Sequence, residues 1–337
     1  MAYVDLSRDP GALQRIVRAL GLAREDEPVQ ACALPGGVSS GIYRVDLASG
    51  SYCIKQALPQ LKVAKLWQVP VERVFSEIAW LRTAQGIVPG HVPSVLGEDA
   101  ASASFVMPFL GPEYRNWKGE LLAGRVDSDM ARTVGDLLGR IHGASADSHD
   151  IAARFATDAH FHALRLEPYL LETARVHPAL ADRLQDLAAR TARTRRVLVH
   201  GDVSPKNILL GPPGPVLLDA ECAWFGDPAF DLAFCLNHLL LKSVRAPAQG
   251  PLLMQAFAAL AQGYWAHAHW EPRSALEARV ASLLPALALA RIDGKSPVEY
   301  LDEPQRAAVR DAAIALLQDP PASLDQLAGR WVRAFAA

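Results

Sequence analysis

Asp202, Asn207 and Asp219 are the residues of this chain whose types and spacing best suit chemistry. Asp202 and Asn207 stand five apart in His200-Gly-Asp-Val-Ser-Pro-Lys-Asn207. The apolar run Ile208-Leu209-Leu210 follows, and a Gly211-Pro-Pro-Gly214 turn leads into Val216-Leu217-Leu218, which ends on Asp219. Two apolar runs joined by a tight turn predict a hairpin. Such a hairpin brings Asp202, Asn207 and Asp219 to one end, where three oxygen ligands can converge. Magnesium prefers hard oxygen ligands and is held by one or two carboxylates together with substrate phosphates.

The spacing His-x-Asp-x-x-x-x-Asn is that of the catalytic loop of eukaryotic-type kinases, in which the Asp accepts the hydroxyl proton and the Asn binds metal. Gly201 stands where an Arg is usual. The expected chemistry is phosphoryl transfer from ATP, with Asp202 as the base and Asn207 and Asp219 as Mg2+ ligands. Glu221, two residues past Asp219, offers a second carboxylate that can bind metal directly or through water. His200 is expected to be structural, its ring bonded to backbone near the metal loop. Each Asp alone is an ordinary turn or cap residue; the spacing of the set carries the reading.

These groups need a nucleotide clamp, and the front of the chain offers one. Gly36, Gly37, Ser39, Ser40 and Gly41 form a glycine-rich loop that runs into Ile42-Tyr43-Arg44-Val45-Asp46-Leu47, which alternates like a strand. A dinucleotide fingerprint needs a helix after the loop, and a P-loop needs Gly-Lys-Ser/Thr. A strand follows here, and Gly41 precedes Ile, so the loop reads as the kinase type that covers ATP phosphates with backbone N–H groups. Lys55, fourteen residues after Gly41, is placed to bind the α- and β-phosphates. A helix opening at Pro70, with Val71, Val74, Phe75, Ile78 and Leu81 as its apolar stripe, carries Glu77 at the stripe's edge as the carboxylate partner of Lys55. Glu72, on the opposite flank, is the weaker candidate. Ser104 to Leu110 reads as a last strand entering a hinge, where backbone near Met107 and Phe109 can pair with an adenine edge; both side chains are equally suited to a core.

His200-Gly-Asp-x-x-x-x-Asn207, the Leu218-Asp219 segment and Gly226-Asp227-Pro228-x-x-Asp231-Leu232-Ala233 together resemble the aminoglycoside phosphotransferase / choline kinase family. The matching motifs run in the family's order from about Gly36 to Asp231. The resemblance implies a protein-kinase-like fold and phosphorylation of small-molecule hydroxyls with ATP and Mg2+. It also implies that Asp231 accepts N–H bonds from the catalytic loop. Asp219-Ala-Glu221 in place of Asp-x-Gly is similar to methylthioribose kinases, as are Ile54-Lys-Gln-Ala-Leu-Pro59, Trp67 and Pro70. Two features depart from that group: its catalytic loop usually lacks an Asn where this chain has Asn207, and its chains run longer at the C-terminus.

The remaining elements fit a two-lobed α+β chain, protein-kinase-like and bilobal. Residues 1–110 form an N-terminal antiparallel nucleotide-binding lobe, and 111–337 a mainly helical catalytic and substrate lobe. Asp9-Pro10 opens a helix with Leu13, Ile16, Val17 and Leu20 on one face, ending near Gly21. A second stripe, Met130, Val134, Leu137, Leu138 and Ile141, starts from Asp127 and closes at Arg140, His142 and Gly143. Helices are expected near 160–176 and 178–193, and from 229 to the end.

The chain has 337 residues, half of them hydrophobic, with a net charge of -2, so no basic footprint points to nucleic acid. Four scattered cysteines without CxxC or zinc spacing fit a reduced compartment. No basic n-region followed by an apolar stretch and no membrane-length run is present, which leads to the expectation of a soluble, cytoplasmic protein.

Only six residues separate Asp219 from Gly226, too few for a phosphorylatable activation segment, so the expected partner is a small-molecule hydroxyl acceptor such as a sugar, polyol or amino alcohol. Nine acidic against ten basic residues over 241–337 give no acidic pocket for polycationic acceptors. Trp224, Tyr264, Trp265 and Trp270 could cage a choline, though core packing suits most of them better. Arg291 to Pro297 can be a polar loop facing the acceptor site or a helix end, and the helix end is the preferred reading. Two rivals remain: a degenerate kinase-fold module that binds nucleotide without turnover, and a phosphoester hydrolase. Intact Lys55, Asp202, Asn207 and Asp219 argue against the first; Lys55 and the glycine loop would be idle in the second. Oligomeric state is not legible.

Overall fold

The computed structural model describes residues 3–9, 11–61 and 68–335; Pro10 and Trp67 lie outside them. The chain divides into two compact units, Met1–Tyr114 and Arg115–Ala337.

The first unit is a five-stranded antiparallel sheet with two helices. Its strands are β1 (Gln30–Ala33), β2 (Ser40–Leu47), β3 (Gly50–Ala57), β4 (Gly97–Asp99) and β5 (Ser104–Pro108), in the order β1-β2-β3-β5-β4. Tyr43 and Val45 alternate inward from β2 and pack with Ile54, Val106 and the Leu13, Ile16 and Val17 face of α1 (Ala12–Ala19). α1 ends before Gly21, whose φ of +69° suits a residue without Cβ.

α2 spans Arg73–Ile87 and starts three residues later than the pattern predicts. The cause is Arg73, a fully buried guanidinium that donates to the carbonyls of Ser39 (2.6 Å), Leu58 (2.8 Å) and Pro70 (2.8 Å). An apolar stripe cannot reveal a charged residue buried by hydrogen bonds to backbone. Val74, Ile78, Trp80 and Leu81 are buried as a face, but Phe75 is exposed.

The second unit is mostly helical. It contains β6 (Arg115–Asn116), α3 (Trp117–Leu122), α4 (Ser128–Ser145), α5 (His149–Arg154), α6 (Asp158–Phe161), α7 (Glu172–Val176) and α8 (Ala181–Arg193). β7 (Val197–Val199), β8 (Ile208–Gly211), β9 (Gly214–Leu217) and β10 (Trp224–Gly226) follow, then α9 (Pro228–Arg245), α10 (Gly250–Trp265), α11 (Arg273–Asp293), α12 (Glu303–Gln318) and α13 (Leu324–Ala334). The expected α+β chain is what forms. Asp127 caps α4 through the N–H groups of Asp129 and Met130, and the helix runs past Gly143 to Ser145.

The predicted helix over 160–176 is not one α-helix. His162–Leu171 between α6 and α7 is π-helical and contains Pro168. Proline removes an N–H and crowds the preceding turn, and a widened turn accommodates it. α4 and α10 approach through glycines. A Cβ on Gly135 would lie 2.0 Å from the Leu260 carbonyl oxygen, and one on Gly263 2.1 Å from that of Arg132. α11 ends at Asp293, as the helix-end reading of that loop expects.

Candidate active site

In the first unit Lys55 and Glu77 meet. Lys55 sits mid-sheet on β3, paired with Ile42 on β2 and Phe105 on β5. Its Nζ lies 2.7 Å from both Glu77 carboxylate oxygens. Glu77 is 2% exposed, so it lies inside the buried face of α2 and not at its border. A lysine held by both oxygens of one carboxylate has a fixed direction, which a mobile four-carbon stem otherwise lacks.

The glycine loop joins β1 to β2, as the strand–loop–strand reading requires. Gly36 and Gly37 have φ of +100° and +72°, and a Cβ on Gly37 would fall 2.6 Å from the Ser40 carbonyl oxygen. Ser39 and Ser40 are buried; Gly41 already pairs with Gln56 in the sheet. Arg73 therefore ties the loop, through the Ser39 carbonyl, to the end of β3 and the start of α2.

Met107 and Phe109 are half-buried. The Phe109 N–H donates to the Ser51 carbonyl (3.0 Å), and Met107 pairs with Cys53. Those two residues face β3, so their N–H groups are not the free ones. Along an extended strand the alternate positions turn to the other edge.

In the second unit the predicted hairpin forms with Ile208 opposite Leu217 and Gly211 opposite Gly214. The Leu218 N–H donates to the Asn207 carbonyl (2.9 Å), which sets Asp219 beside Asn207. Asp219 has φ +69°, a left-handed conformation costly for a non-glycine residue and characteristic of functional sites.

Asp202 is 4% exposed, and its Oδ2 is held by three donors. Arg165 Nη2 lies at 3.0 Å, Asn207 Nδ2 at 2.8 Å and Lys206 Nζ at 3.3 Å. With Oδ2 so engaged, Oδ1 is the oxygen left to take a proton. Arg165 comes from the π-helical run, and its Nε also donates to the Gly201 carbonyl. Burial opposes the Arg165 charge, but Asp202, with Cys222, Tyr169 and Glu221, keeps its pKa above the ordinary value.

Sequence reasoning missed Arg165 and Lys206. Lys206 was inside the motif, whereas Arg165 in Leu164-Arg-Leu166 carries no local signal. Gly201 replaces an Arg for a steric reason: its φ is +79°, and a Cβ would sit 2.6 Å from the Cys222 carbonyl oxygen.

The loop is fixed from behind. Asp231, fully buried near the start of α9, accepts from the N–H groups of His200 (2.7 Å) and Gly201 (2.8 Å). His142 Nε2 lies 3.2 Å from Asp231, and its Nδ1 2.9 Å from the Tyr264 hydroxyl. This places Tyr264 in the core and removes it from any aromatic cage. His200 Nδ1 accepts the Asp202 N–H (3.1 Å), which leaves Nε2 as the donor to the Leu218 carbonyl (3.1 Å). Burial pushes the His200 pKa down, and the ring is neutral and structural.

Asp202, Asp219 and Glu221 do not form a three-carboxylate metal cluster. Among the described residues no group of three His, Cys, Asp or Glu side chains could hold an ion. Asp202 is instead occupied by its three cationic and amide donors. A magnesium ion fits the remaining pair. Asn207 spends its Nδ2 on Asp202, so its Oδ1 is the atom left for a ligand, and Asp219 supplies one carboxylate. Ser204 Oγ, buried two residues from Asp202, has no hydrogen-bond partner among the described residues, as suits a place that receives a ligand oxygen. Glu221 is buried within the field of Arg165.

The APH family, described as the phosphotransferase enzyme family, matches residues 30–276. Methylthioribose kinase 1 of Oryza sativa subsp. japonica is 24% identical over 228 residues, covering 59% of this chain and 53% of the rice protein. A methylthioribose kinase of Klebsiella pneumoniae subsp. pneumoniae is 27% identical over 226 residues, 58% of this chain and 55% of that one. The chain thus spans about half the length of the curated relatives it matches. Among solved structures, an amicoumacin kinase in complex with AMP-PNP and Ca2+ matches with a TM-score of 0.58 at 15% identity, over 92% of this chain and 95% of that one. The fold is the α+β fold of such kinases.

Proposed function

The chain belongs to the phosphotransferase enzyme family, and from that premise we propose that it transfers the γ-phosphate of ATP to a hydroxyl of a small molecule. A sugar, polyol or amino alcohol is the acceptor class, and a methylthioribose-like sugar is included. The observation that carries the reading is the clamp on Asp202, where Arg165, Lys206 and Asn207 hold Oδ2 and leave Oδ1 for a proton. A binding module without turnover has no use for a carboxylate oriented in this way.

The first unit is the nucleotide clamp. Lys55, fixed by Glu77, binds the α- and β-phosphates, and Gly36, Gly37, Ser39, Ser40 and Gly41 cover them with backbone N–H groups. The adenine edge pairs with the backbone after β5. Because the N–H groups of Met107 and Phe109 face β3, the alternation turns the Pro108 carbonyl and the Leu110 N–H to the open side. The second unit supplies the rest: Asn207 and Asp219 would hold Mg2+, with Glu221 as the further carboxylate, and the bound ion would supply positive charge to the phosphate oxygens. Asp202 Oδ1 takes the acceptor proton as the new bond from the acceptor oxygen to the γ-phosphorus forms. The bond from that phosphorus to the β–γ bridging oxygen breaks, and ADP leaves.

The test is ADP release across a panel of sugars, polyols, amino alcohols and hydroxy acids. Asp202→Asn should lower kcat by about 10²–10⁴-fold with ATP affinity nearly unchanged, the usual range for a general base. Asp219→Ala should instead weaken Mg-dependent ATP binding. Equal inertness of wild type and Asp202→Asn, with both binding ATP, would favour the binding module.

A further inference from the structure

Next to Arg165 lies a group of polar residues that the phosphoryl chemistry does not use. The Arg165 guanidinium stands 5.7 Å from the rings of both Tyr169 and Phe234. Phe234 is 5.5 Å from the His238 ring, and the Tyr169 hydroxyl is 3.3 Å from Arg291 Nη1. Beyond them, Lys242 Nζ sits 5.0 Å from the Tyr300 ring.

The group is short of partners. His238 Nε2, Arg291 Nε and the Tyr300 hydroxyl are buried and have no hydrogen-bond partner among the described residues. Lys242 is 1% exposed, and among the described residues its side chain makes a single hydrogen bond, a 3.5 Å contact to the His238 carbonyl. Native interiors pair nearly all buried polar atoms, so several orphans in one place point to something that arrives there.

The group is also cationic. Arg165 and Lys206 are paired with Asp202, and Lys118 with the exposed Glu299. Lys242 and Arg291 have no carboxylate within ion-pair distance among the described residues. Burial, then Lys118 and Arg291, lowers the Lys242 pKa to about 7. Burial, then Lys242, Arg291, Lys206 and Lys118, drives His238 down as well. Arg291, Tyr300 and Lys118 border the group and remain partly exposed, so its edge is reachable.

Resting on the reading of this unit as the one that binds the acceptor, we propose that the acceptor carries an oxyanion, a carboxylate or a phosphate, held by Lys242 and Arg291 with His238 and Tyr300. An oxyanion accepts from Lys242, Arg291 and the Tyr300 hydroxyl and offsets the unpaired charge. A neutral polyol or a cationic amine leaves that charge uncompensated. The expected acceptor is therefore a hydroxy acid, a sugar acid or a sugar phosphate, whose hydroxyl reaches Asp202 while its anion sits among these residues.

The test combines binding and turnover on the full chain. Inorganic phosphate, glycerate and gluconate are titrated at constant ionic strength by calorimetry. At least one should bind saturably, weakening about tenfold or more in Lys242→Met and in Tyr300→Phe, and should take up a proton near pH 8 as Lys242 recharges. Apo Lys242→Met should melt no lower than wild type, because removing an unpaired buried cation relieves its desolvation. Binding of none of the three, or binding that survives Lys242→Met, leaves the orphans to ordered water and overturns the proposal. ADP release with the anionic compounds separates it from the kinase reading. Turnover of neutral acceptors with unchanged KM in Lys242→Met keeps the kinase and sinks the oxyanion. Saturable, Lys242-dependent binding without ADP release on any acceptor keeps the oxyanion and sinks the kinase.

Discussion

Arg165 is the residue on which the Asp202 geometry depends most. It is 6% exposed and makes contacts to Asp202, the Gly201 carbonyl and the Leu164 carbonyl, so it fixes both the carboxylate and the loop that carries it. Replacing it by Met leaves a buried carboxylate with one cation fewer, a loss of about 3–5 kcal/mol for a broken buried pair. Arg165→Met should also lower kcat, because the Asp202 carboxylate loses one of the three donors that hold Oδ2. Chemical denaturation and steady-state kinetics check the two parts, and an unchanged kcat would show that Arg165 is only structural. None of this was legible in Leu164-Arg-Leu166. The Asp202, Asn207 and Asp219 set was legible, because its spacing is short and lies on one loop and one hairpin. A guanidinium arriving from 37 residues upstream leaves no trace in spacing.

At the scale of elements, what the sequence revealed followed local rules. The Gly211–Gly214 turn and its flanking apolar runs specify the β8–β9 register, and Asp127 specifies the start of α4. Long-range polar contacts decide the exceptions. Arg73 delays α2, and Pro168 widens the run that delivers Arg165, while a periodicity count registers only the apolar positions. The tight link from β7 into the Asp202 loop is the sharpest constraint. Gly201→Ala places a Cβ against the Cys222 carbonyl at a positive φ. It should cost about 1–3 kcal/mol, the scale of a strained backbone position, in urea denaturation. A variant as stable as wild type would mean that the 220–223 segment shifts freely.

For the molecule as a whole, the buried cation on α9 makes stability depend on pH. Folded Lys242 loses its proton near pH 7, whereas an unfolded lysine holds it to about 10.5. Between those values the unfolded state binds more protons, so this contribution strengthens as pH rises from 7 and is lost as pH falls back to it. Lys242→Met has no such proton. Its stability advantage over wild type should shrink from pH 7 to 8.5 by up to about 1.4 kcal/mol per pH unit, read from denaturant midpoints. A difference that stays flat across that window contradicts a buried, unpaired ammonium.

The approach of α4 to α10 has a consequence far from where it occurs. Gly135 and Gly263 let two backbones touch, and that contact sets how deeply His142 and Tyr264 reach toward Asp231. Asp231 in turn anchors the amides of His200 and Gly201. The aim of the Asp202 carboxylate is thus inherited from a seam where the two helices meet through glycines. Drift in the Asp202 loop can therefore begin with a single methyl group added at Gly135 or Gly263.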